Sequence, residues 1–130
     1  MTSHNLGAVV CAVVRRGAVM TCEVHDVGVP VGEREISDFL HKCVHGLFDV
    51  VHVGDGIDMW VNDEGLINGS PLNPAATSVK WQEWMRRPDT ILMTDDPPIC
   101  GDVVFVGSDE NGETVPLTDD QWHWLHERLG

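Results

Sequence analysis

His41, Cys43 and His45 stand close together in the chain. On a helix, His41 and His45 share one face at i, i+4, which is zinc-ligand spacing, whereas Cys43 points elsewhere. A complete metal set would need ligands from another element, such as His25 or His52. His123 and His126 form a second pair at i, i+3 near the end of the chain. The plainer reading of both pairs is surface imidazole, and no metal is assigned. Asn62-Asp63-Glu64-Gly65 sets two adjacent carboxylates where a strand runs out. They suit a hard cation or an acid and base pair. No second acidic cluster with calcium-loop spacing follows, and an Asx turn with Gly65 at positive φ accounts for the segment equally well. In Pro71-Leu72-Asn73-Pro74, Pro74 suits the first position of a helix with Asn73 as its cap, and Leu72 is expected to anchor the loop in the core. A functional alternative gathers Asn62, Asp63, Asn68 and Asn73 into a polar pocket for a small ligand. Nucleophile-elbow, phosphate-loop and dinucleotide glycine patterns are absent. No catalytic residue and no cofactor is therefore assigned, and a non-enzymatic protein is expected.

Five tryptophans and no tyrosine is a skewed aromatic usage. Trp81 and Trp84 lie at i, i+3 on one side of an expected helix. Trp122 and Trp124, at i, i+2, are not expected to face the same core, and Trp60 points away from Met59 on a strand. Core packing explains most of them, but at least one is expected to be partly exposed, where Trp favours an interface anchor. Lys80, Arg86 and Arg87 accompany Trp81 and Trp84, so that helix carries a basic, aromatic island suited to a stacked nucleotide. Complementation of the helix dipole is the plainer account. The candidate partner or ligand residues are thus Trp81, Trp84, Lys80, Arg87, Trp122, Trp124, Asn62, Asp63 and Asn73.

Eight basic residues against 21 acidic ones give a net charge of -13. That excludes a general grip on nucleic acid, which needs cations to displace phosphate counterions, and adsorption to anionic lipid. Apolar residues at 42% and charged ones at 22% match globular usage, and 130 residues suffice for one domain with its own core. No apolar run reaches the length of a membrane span, and residues 8–14 lack the basic flank of a signal peptide. Cys11, Cys22, Cys43 and Cys100 are widely spaced and read as buried free thiols of a reducing compartment.

Residues 1–6 are polar and expected to fray. Val-rich residues 8–14 and 18–26 flank Arg15-Arg16-Gly17, a hairpin signal with Gly17 free to take positive φ. Residues 33–45 carry Ile36, Phe39 and Leu40 at helical spacing, with Gly46 placed to end the helix. Residues 48–53 and 57–61 flank Gly54-Asp55-Gly56, a second hairpin. A loop at 64–74, a helix at 75–87, a short strand at 91–94, a rigid loop at 95–98 and a strand at 102–106 follow. Thr118 and Gln121 make a capping box for a last helix at 119–129. The order β-β-α-β-β-α-β-α predicts an α+β fold. Its antiparallel or mixed sheet has helices on one face, with the first helix laid grasp-like across two hairpins.

Asn62-Asp63-Glu64-Gly65, Pro71-Leu72-Asn73-Pro74, Gly101-Asp102-Val103-Val104-Phe105-Val106-Gly107 and Pro116-Leu117-Thr118 together resemble a family of small proteins of unknown function. Bacteriophages and other mobile elements of bacteria encode that family. The resemblance covers roughly residues 33–118 and implies a protein acting in the cytoplasm of a host cell. It supplies no chemistry. With the acidic surface and the excess of Trp, it suggests an accessory protein that binds and modulates a host protein. A DNA mimic acting against host defence and a nucleotide-binding sponge for a defence signal are the alternatives. A homodimer through an edge strand or a Trp-bearing helix is compatible with all three.

Overall fold

In the computed structural model the chain runs β1 (Gly7–Arg16), β2 (Val19–Gly28), α1 (Glu33–Val44), β3 (Phe48–Gly54) and β4 (Ile57–Asn62). It continues as α2 (Pro74–Met85), β5 (Val103–Ser108), β6 (Thr114–Val115) and α3 (Asp119–Leu129). The structure describes residues 6–64, 69–85 and 98–129, with the backbone alone for 81–85. The expected strand at 91–94, the loop residues 95–97 and most of the frayed start lie outside the described residues.

The α+β order holds, with the two-residue β6 added beside β5. The sheet order is β2-β1-β5-β4-β3, and each neighbouring pair is antiparallel. The last long strand thus slots between the two hairpins. Val103, Val104, Phe105 and Val106 are all fully buried, which is why that run is apolar without alternation.

Those alternate side chains divide the core and correct one expectation. The helices do not share a face. Val104 and Val106 meet Ala8 and Leu40 under α1, which lies across the sheet. Val103 and Phe105 meet Val9, Cys11 and Met59 on the other face, closed by Ala76 and Val79 of α2 and Leu125 and Leu129 of α3. A β5 buried on both sides requires cover on both sides.

Local chemistry sets the junctions. Gly17 at φ 64° turns the first hairpin, and Arg16 pairs directly with Val19. Asp55 and Gly56, at φ 53° and 74°, give the second hairpin the two positive φ values of a type I′ turn. The capping box closes reciprocally, Thr118 N–H to Gln121 Oε1 at 2.9 Å and Gln121 N–H to Thr118 Oγ1 at 3.1 Å. α1 ends one residue early: His45, rather than Gly46, takes the left-handed position at φ 64°. No helix among the described residues is long and apolar enough to cross a membrane.

Candidate functional site

Three of the sequence signatures meet at one end of the sheet. Leu72 pairs with Cys100 in an isolated antiparallel bridge. Asn73 N–H donates to Ile99 O at 2.8 Å, and Gly101 N–H to Pro71 O at 2.7 Å. Asn62 sits at the end of β4, its Nδ2 donating to Val44 O at 2.9 Å and its Oδ1 accepting Glu64 N–H at 2.8 Å, an Asx turn. Asp63 is exposed, with its backbone N–H on Leu47 O. Asp102 accepts Val13 N–H through Oδ1 and faces His45 Nε2 through Oδ2, both at 2.9 Å. His45, Asn62, Ser70 and Asp102 line a shallow polar cleft of about 270 Å³ there.

Asn73 is wholly buried and works inside the fold. Its Oδ1 accepts Ala76 N–H at 3.0 Å, the N-cap bond of α2, and the thiols of Cys22 and Cys11 at 3.2 and 3.6 Å. Its Nδ2 donates to Cys11 O and Gly101 O at 3.2 and 2.9 Å. Every polar atom of that carboxamide is thus engaged within the chain. Leu72, expected to anchor the loop, is 47% exposed, and Asn73 and Ile99 go inward instead. The bridge to Cys100 sets the strand-like alternation that turns Leu72 out. Burial, reinforced by neighbouring Cys22, pushes the Cys11 thiol up to about 12. Burial also raises Cys43 and Cys100. All four cysteines are free, with Cys11 buried and the other three partly exposed.

The basic, aromatic island does not present itself as one surface. Lys80 is only 7% exposed, the side chains of Trp81 and Trp84 lie outside the described residues, and so do Arg87 and Asn68. Trp122 and Trp124 both pack against the core cluster of α3, flanking fully buried Leu125 rather than taking opposite faces. Trp122 Nε1 donates to Asp26 Oδ1 at 2.7 Å, and Arg128 stacks over Trp124 at 4.0 Å. His126 Nε2 meets the same Asp26 oxygen at 3.0 Å, while His123 is exposed. His41 and His45 part company. His41 Nδ1–H donates to Gly46 O at 2.8 Å and its ring packs on Phe48, whereas the left-handed turn swings His45 to Asp102. Among the described residues no three His, Cys, Asp or Glu side chains gather as a metal set.

The larger concavity lies elsewhere, under the start of α1. β2 ends at Gly28, and Val29-Pro30-Val31 carry the chain to Gly32 at φ 108°, where α1 begins. Gly7, at φ 113°, lets this segment approach Pro116, for a Cβ there would sit 3.2 Å from both Pro116 and Val29. Between this segment, α1 and the β5–β6 turn is a cleft of about 620 Å³, within the range of ligand and side-chain pockets. Ile36 and Leu40 form its helical wall, and Phe48 and Trp60, edge to face at 5.1 Å, contribute the aromatic one. Among the described residues the buried Trp60 Nε1 donor has no partner. Val31, at 93% exposed, stands at the mouth. Among the described residues, Glu33 and Glu113 are the charged ones of the lining, and no Lys, Arg or His joins them.

None of these lining residues was a sequence candidate. The available signal was Val29-Pro30-Val31, three apolar residues between a strand and a helix where polar turn formers are usual.

Residues 20–130 match the family model described as a domain of unknown function (DUF3846), and the chain belongs to that family. No curated protein and no solved structure matches it.

Proposed function

We propose that this DUF3846 protein is a non-enzymatic binding module that docks a partner protein in the cleft beneath the start of α1. The observation that carries the reading is the cleft itself: aliphatic and aromatic side chains line it, and an almost fully exposed Val31 stands at its mouth. A soluble chain that leaves an apolar concavity and a bare aliphatic beside it open to water gains by covering them, and such surfaces mark interaction sites. The polar cleft is the weaker candidate, because Asn62 and Asp102 are both engaged with backbone groups there. The resemblance of the sequence signatures to proteins of phages and mobile elements favours a host protein as the partner, met in the host cytoplasm.

Affinity capture from host lysate tests this when native protein is run beside Ser37→Trp, which places an indole in the cleft from the α1 side. The reading expects one protein enriched by the native chain and lost with the plugged variant. It also expects slowed amide exchange at 29–40 when that protein is added. Enrichment that survives the plug places the interface elsewhere and overturns the reading.

A further inference from the structure

We infer that the cleft selects a partner segment in which a large apolar side chain is flanked by Lys or Arg; this rests on the docking reading above. The apolar wall supplies affinity but little discrimination, because any aliphatic or aromatic side chain suits it. The rim discriminates. Glu33 comes from the first turn of α1 and Glu113 from the β5–β6 turn, so carboxylates from two separate elements edge one cleft. Neither has an ion-pair partner among the described residues. Among the described residues no cation lines the cleft to offset them, and the chain as a whole carries a charge of -13.

Uncompensated charge beside a low-dielectric wall concentrates its field at the mouth and draws in the opposite sign. An acidic segment is repelled there, and a neutral one leaves the carboxylates without a gain. A basic residue beside the apolar anchor lays its methylene stem along the wall while its head reaches Glu33 or Glu113. Phe48 and Trp60 add ring faces that favour a cation when the head turns inward.

Selection from a random peptide display library against the native protein, with counter-selection on Ser37→Trp, tests the inference directly. The enriched peptides should share one large apolar residue with Lys or Arg next to it or one residue away. A synthetic peptide of that sequence should bind roughly threefold to tenfold more weakly to the Glu33→Gln/Glu113→Gln double variant, and weaken with salt. It should also weaken on Val31→Gln, an exposed site where folding is not at stake. Peptides that need the cleft but carry neutral or acidic flanks, or ignore both glutamates, overturn the charge selection and leave the docking reading standing. Peptides that bind the plugged variant equally well, or no enrichment at all, overturn both.

Discussion

At the scale of single residues, Asn73 is the most committed side chain in the molecule. It caps α2, ties β1 to the strand before β5 through Cys11 O and Gly101 O, and accepts two thiols. Asn73→Ala removes a cap and takes the Nδ2 donor from the Cys11 carbonyl in the core and from the half-buried Gly101 carbonyl. We expect a loss of roughly 3 kcal/mol, read as a lower urea midpoint at unchanged slope. Cys11 offers a second test. Its thiol ionises about three pH units later in the fold, rising from the ordinary 9.0 to about 12. Between those values the unfolded chain binds fewer protons than the native one. The stability held below pH 9 therefore declines as pH rises through that window, at a limiting slope on the order of 1 kcal/mol per pH unit. Denaturation midpoints across alkaline pH should fall more steeply for the native protein than for Cys11→Ala. Equal slopes would show that the Cys11 thiol is not held neutral by the fold.

Among the elements, what could be read from sequence was what local chemistry decides. Gly54-Asp55-Gly56, Thr118 with Gln121, and Asn73 with Pro74 each act within a few residues, and each forms the turn or cap expected. What could not be read depends on distant partners. The split of helices between two faces follows from β5 inserting between hairpins far upstream. The cleft forms where the β2–α1 segment and Pro116 both close on Gly7, a juxtaposition no local pattern encodes. The α3 helix shows both sides. Its start and end were legible, but Trp122 and His126 converge on one oxygen of Asp26 across a separation of about 100 residues. Asp26 is thus the latch between α3 and β2. Asp26→Ala leaves the half-buried indole N–H without its acceptor, and a loss of about 2 kcal/mol is expected. Tryptophan emission should shift to the red as the Trp122 edge of α3 gains water. An unchanged spectrum with unchanged stability would mean that apolar packing alone docks the helix.

For the molecule as a whole, the charge of -13 acts on folding and on association with opposite sign. Among the described residues few attractive pairs offset the repulsion. Among the described residues the ion pairs not involving histidine are Arg16 with Glu23, at 3.0 Å on an exposed hairpin, and Arg128 with Glu127 at 3.8 Å, and exposed pairs contribute little. Self-repulsion among carboxylates is therefore the larger surface term, and added salt screens it. The melting temperature should rise by a few degrees, roughly 2–5 °C, as sodium chloride increases from millimolar to physiological strength. The partner's affinity should fall over the same range, because the charges that repel one another within this chain attract a basic segment outside it. The two trends together separate the mechanisms. If salt strengthened both folding and binding, hydrophobic burial would dominate at the cleft and its acidic rim would be incidental. If salt weakened folding, attractive surface pairs would outweigh the repulsion. The opposed slopes are expected only where a chain tolerates its own excess of carboxylates and uses some of them on a partner.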